Sequence, residues 1–62
     1  MIEIGEDYKH IEKGTIYTAA VKTKVKLNGS WYEGIIYTGK DCIQTYVRTV
    51  EDFNENFVKV EP

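Results

Sequence analysis

The stretch Ile16–Thr38, IYTAAVKTKVKLNGSWYEGIIYT, sets Asn28-Gly29 between two alternating runs rich in β-branched and aromatic residues. Asn-Gly between such runs is the strongest short-range signal for a two-residue β-hairpin. That turn pairs Leu27 with Ser30 and fixes the rest of the register: Val25 with Tyr32, Val21 with Ile36, Ala19 with Thr38. On the other face Lys26 meets Trp31, Lys24 meets Glu33, Lys22 meets Ile35 and Ala20 meets Tyr37. Successive side chains of a strand point to opposite faces, so one face is mostly apolar and is expected to be core. The other lays Lys22, Lys24 and Lys26 against Trp31, Ile35 and Tyr37. The first run, Ile16–Leu27, is long for a strand, and a bend is expected near Ala19-Ala20 or at Lys22.

Outward from the hairpin, Ile2 and Ile4 are candidates for an edge strand, and Gly5-Glu6-Asp7 for a turn. Tyr8–Ile11 reads as a short strand, followed by a tight turn at Glu12-Lys13-Gly14 in which Gly14 takes a positive φ. After the hairpin, Gly39-Lys40-Asp41 turns the chain into a strand from Cys42 to Arg48, with Ile43 and Val47 as core candidates. Thr49 can cap a short helix whose first turn carries Glu51 and Asp52, where the helix dipole favours acids. Val50, Phe53 and Phe57 then recur at helical spacing. Phe57–Val60 returns to strand. The expectation is a single domain, residues 1–62: a mainly β, small antiparallel SH3-like barrel with one short helical turn near the C-terminus.

A chain of 62 residues is marginal by itself. One cysteine rules out an internal disulfide, and one histidine leaves no Cys/His set for structural zinc. Association is the remaining aid, and a homo-oligomer is expected. With eight basic and ten acidic residues the net charge is −2, which disfavours a general nucleic-acid binder. No signal peptide or bilayer-spanning run is present, so a cytoplasmic protein without a membrane role is expected. Eight aromatic residues, five of them tyrosine, exceed what one small core holds, and an exposed aromatic patch is expected.

Enzyme constellations are nearly absent. Ser30 sits in the hairpin turn and His10 has no nucleophile motif beside it, so no catalytic residue, metal ligand or cofactor is assigned. Arg48 is the only arginine. Its planar fork suits a phosphate, and it equally suits an ion pair with Glu51 or Asp52. Trp31 either shields the hairpin under Lys26 or offers a stacking platform. Tyr37 and Tyr46 each bring a ring and a hydroxyl. Tyr8 and His10 share a face, where His10 reads either as a packed, hydrogen-bonded residue or as part of a rim. The candidate ligand-binding set is therefore Tyr8, His10, Lys26, Trp31, Tyr37, Tyr46 and Arg48.

Tyr8-Lys9-His10, Lys13-Gly14 with Tyr17, Trp31, Ile36-Tyr37, and Tyr46-Val47-Arg48-Thr49 with Glu51 and Phe53 resemble a group of short bacterial and phage proteins of unassigned function. Those show a Tyr-Arg-His opening, then Lys-Gly and Tyr, and a near-terminal Val-Arg-Pro followed by an acid and Phe. This chain departs from them by Ile11-Glu12 inserted before Lys13 and by Thr49 where proline is usual. More weakly, it resembles the phage anti-CBASS proteins that sequester cyclic nucleotide signals of bacterial defence. That resemblance implies a non-catalytic, oligomeric protein acting in the host cytoplasm, with nucleotide sites between subunits. A cyclic or small nucleotide would then stack on Trp31, Tyr37 and Tyr46, and its phosphates would meet Arg48 and Lys26. Tyr8 and His10 would line the rim. The alternatives are a protein–protein interaction module using the same aromatic face, and a single-stranded nucleic acid binder.

Overall fold

A computed structural model describes residues 2–40 and 43–61. Five strands and one helix follow in chain order: β1 (Asp7–His10), β2 (Ile16–Leu27), β3 (Ser30–Gly39), β4 (Thr45–Thr49), α1 (Val50–Asn56) and β5 (Phe57–Lys59). They form one antiparallel sheet in the order β4-β3-β2-β1-β5. The mainly β fold with a short C-terminal helix is the expected one. Closure is looser than a barrel implies, because β4 and β5 remain the two edges of an open sheet. Helix α1 connects them and packs against β3, β4 and β5.

The hairpin forms as its turn dictates. Asn28 has φ 51° and Gly29 φ 82°, the two positive values of a type I′ turn. Leu27–Ser30 through Val21–Ile36 pair in the expected register. The register then shifts between Ala19 and Val21, so that Ala19 pairs with Tyr37, Thr18 with Thr38 and Tyr17 with Gly39. One extra residue, Ala20, is accommodated as a bulge, at the bend anticipated for so long a strand.

That bulge reverses the assignment of the core. Ala19, expected beside Val21 and Ile36, instead joins the face of Ile35 and Tyr37. The core lies there: Ile2, Tyr8, Ala19, Ile35, Tyr37, Phe53 and Phe57, with Tyr17 and Val50 packed against it. The face expected to be buried stays open. Val21 is 52% exposed, Tyr32 47% and Val47 53%. Ile43, the other expected core residue of its strand, is fully exposed. The physical reason is that the bulky rings of Tyr8, Tyr17, Tyr37 and Phe57 fall on the face shared with the lysines. Those lysines occupy only the outer half of the hairpin, which runs past the core into solvent.

Rings make most of the packing. Phe53 and Phe57 stack at 4.1 Å, and Tyr8, Tyr37 and Tyr17 meet them edge-on at 5.3–5.6 Å. Thr49 caps α1 by accepting from the Asp52 N–H at 3.1 Å, and Glu51 and Asp52 occupy the first turn. Ile2 is buried but lies outside any strand, and Ile4 is exposed, so the expected N-terminal edge strand does not form. The segment is held by the Gly5 N–H donating to the Ala19 carbonyl at 2.7 Å. The expected turn residue Asp41 and the expected strand start at Cys42 lie outside the described residues.

Candidate functional site

Strand alternation places all seven candidate residues on the core-bearing face, but packing divides them. Tyr8, His10 and Tyr37 are buried members of the core wall. The Tyr8 hydroxyl accepts from the Glu3 N–H at 2.8 Å, fixing the N-terminal segment over the ring. His10 accepts from the Lys13 N–H through Nδ1 at 3.1 Å and meets the Phe57 ring edge-on at 4.9 Å. Both nitrogen and ring are thus engaged by their own turn and by β5.

Arg48 sits opposite Ile35 at the seam between sheet and helix. Its Nε donates to the Tyr37 hydroxyl and its Nη1 to Asp52 Oδ2, each at 2.8 Å. Its guanidinium lies 5.4 Å from the Phe57 ring centre. The Tyr37 hydroxyl, and after it Asp52, hold the guanidinium pKa above its usual value against the effect of burial. The cation therefore joins β3, β4 and α1. Tyr46 stacks on Tyr37 at 5.6 Å, is 40% exposed, and donates its hydroxyl to Gln44 Oε1 at 3.3 Å.

Lys26 and Trp31 stand apart at the hairpin tip. Trp31 is 64% exposed, with Lys26 Nζ 5.7 Å from its ring centre. Five residues of β3 lie between Trp31 and Tyr37, which puts the two about 20 Å apart along the extended chain. The seven residues therefore line one face without converging on one pocket.

The surface absent from that set is the opposite face. Val21, Ile36 and Val47 form one row across β2, β3 and β4, and Val25 with Tyr32 forms a second nearer the tip, with the row Thr23, Gly34 and Thr49 between them. The missing side chain of Gly34 leaves room for Val25 and Thr23. A Cβ there would come within 2.5 Å of Val25 Cγ2 and 3.3 Å of the Arg48 carbonyl. The face runs on to a hollow of about 370 Å³ lined by Leu27, Asn28, Tyr32, Glu33, Thr49, Val50 and Glu51. The alternation that marks this face is plain in the sequence, but it is the pattern of a buried face too.

Charge is kept elsewhere. Lys24 pairs with Glu33 on the lysine face. Lys40 pairs with Asp7 at 3.0 Å, and Lys59 pairs with Glu3. These partners hold the Glu3, Asp7 and Glu33 carboxyls below their usual range. Among the described residues no group of three or more His, Cys, Asp and Glu could hold a metal ion, and no helix is long and apolar enough to cross a membrane. Compared with protein-family models, curated proteins and solved structures, the chain finds no match.

Proposed function

We propose that this protein is a non-catalytic protein-interaction module that docks a neutral, apolar protein surface on its open sheet face. One observation carries the reading: Val21, Ile36 and Val47 in one row and Val25 with Tyr32 in another make the open face of β2, β3 and β4 apolar, with Val21, Tyr32 and Val47 about half exposed, while the charged residues of those strands lie on the other face. Contiguous apolar surface flanked by polar residues marks interaction sites. A partner that brought a charge there would leave it without a counter-charge. The test is site-specific photo-crosslinking inside cells, with the photoreactive residue at position 47 or, as control, at position 55 on the outside of α1. Adducts with proteins other than this chain are expected from position 47, and few from position 55. Equal yields from both would end the reading.

Nucleotide sequestration is a second reading, supported by the Lys26–Trp31 pair, an exposed ring with a cation over it. Trp31 is the only tryptophan, so its fluorescence reports directly on stacking. Quenching by a cyclic dinucleotide would favour this reading, and an unchanged spectrum across a nucleotide panel would reject it.

A further inference from the structure

We infer that the β4 edge is a self-association site, at which β4 of a second copy pairs antiparallel and extends the sheet across both chains. The inference goes beyond the docking face: it concerns the strand's edge, and its partner is this same chain.

The backbone pattern comes from the hairpin. In a two-residue turn Leu27 and Ser30 exchange ladder bonds, and hydrogen-bonded pairs then alternate along β3. Ser30, Tyr32, Gly34 and Ile36 bond toward β2, so Ile35 and Tyr37 bond toward β4. Their partners there are Arg48 and Tyr46. The remaining β4 residues, Thr45, Val47 and Thr49, therefore turn their N–H groups away from the sheet, as Thr45 and Val47 do their carbonyls. Among the described residues, the backbone bonds made outside the strands and helix do not use them.

Small β proteins usually guard such an edge by shortness, lysine, proline or a bulge. The opposite edge is guarded: β5 has three residues and ends in Lys59. Strand β4, Thr45-Tyr46-Val47-Arg48-Thr49, has none of these devices. Its one charge, Arg48, turns inward to Tyr37 and Asp52.

The edge is also complementary to itself. A two-fold axis through Val47 sets Val47 against Val47, Thr45 against Thr49, and Tyr46 against Arg48 of the other copy. No like charges meet. The exposed Tyr46 ring lies alongside a guanidinium, and Val47 meets its equivalent on the open apolar face. A five-residue ladder buries less than the ~800 Å² per partner of a standard interface. The dimer is therefore weak and concentration-dependent.

The test is sedimentation equilibrium of wild type and Val47→Pro from micromolar to millimolar concentration. Proline removes an N–H that the monomer does not use, and φ of an edge strand accommodates it. Wild type should shift from the 7.2 kDa of one chain toward twice that mass, and Val47→Pro should stay at one chain. If Val47→Pro fails to fold, Val47→Lys decides, since it sets like charges directly opposite each other across the axis. A third variant, Val47→Cys in a Cys42→Ser background, should oxidise to a disulfide-linked dimer, because paired Cα atoms lie about 5.5 Å apart. A wild-type monomer throughout overturns the proposal, and so does a dimer that survives both folded Val47 variants. Neither result bears on crosslinks formed to other proteins from the open face.

Discussion

Replacing Arg48 by alanine tests how β3, β4 and α1 are joined. The side chain is 29% exposed and makes two charge-assisted bonds, to the Tyr37 hydroxyl and to Asp52. The Tyr37 bond matters more. Tyr37 is 5% exposed, and losing its donor leaves a hydroxyl at the core wall with one partner fewer. A hydrogen bond to a charged group contributes about 1.5–3 kcal/mol. The Asp52 bond adds at most about 1 kcal/mol, because that carboxylate is half exposed. Arg48→Ala should therefore cost about 2–3 kcal/mol. In a domain of this size each kcal/mol lowers Tm by about 4–8 °C. Urea and thermal melts followed by circular dichroism and Trp31 fluorescence measure this directly. A double-mutant cycle with Tyr37→Phe should return a coupling of about 1 kcal/mol or more. A loss under about 0.5 kcal/mol for Arg48→Ala, or an additive cycle, would refute the clamp and make Arg48 an ordinary surface cation.

Gly34→Ala should destabilise by about 1–3 kcal/mol, because the new Cβ meets Val25 Cγ2 at 2.5 Å and stiff β-branched neighbours cannot move freely; chemical denaturation checks it. Gly29→Val should cost about 1–2 kcal/mol, since a β-branched residue is strained at the φ of 82° found there, and a melting temperature equal to wild type would contradict the type I′ turn. For acid, the sign follows from Glu3, Asp7 and Glu33, whose folded pKa values lie below their ordinary 4.5, 3.8 and 4.5. Their contribution is complete above those ordinary values and is lost as pH falls through the lower folded ones. A Glu3→Gln, Asp7→Asn, Glu33→Gln variant should show a shallower loss of Tm below pH 4.5 than wild type.

Much of the fold was legible because local chemistry dictated it. Asn28-Gly29 set the turn, Gly14 its positive φ, and Thr49 with the following acids the start of α1. What could not be read was which sheet face would be buried. Alternation divides the residues into two sets but does not say which set meets the helix. The Ala20 bulge then moves Ala19 from one set to the other, and an Ala-Ala pair shows where a bend can fall without showing its effect on the faces. The same limit applies to the site. The sequence offered Asp52 as an ion-pair partner for Arg48 beside the phosphate reading, and the structure makes that pair, but the bond to the Tyr37 hydroxyl could not be read, because strand pairing alone does not tell which cross-strand ring a long side chain reaches. Tyr8 and His10 share a face as expected, and that face is interior. Val21 facing Ile36, and Val47 on its own strand, read as core from alternation alone, the usual place of such apolar positions; that they join into one row on the open face depends on the β3–β4 register, which the sequence does not give.

The central structural claim is that the sheet buries the Ile35 face and leaves the Ile36 face open. The two neighbouring isoleucines test it with identical chemistry. Ile35 is 0% exposed and Ile36 is partly exposed. Urea denaturation of Ile35→Ala should show a loss of about 2–5 kcal/mol, the cost of a cavity at a closed site. Ile36→Ala should lose about 1 kcal/mol or less, because its surroundings are already partly water. A larger loss at Ile36 than at Ile35 would contradict the account, putting the core on the face described here as open and removing the docking surface with it.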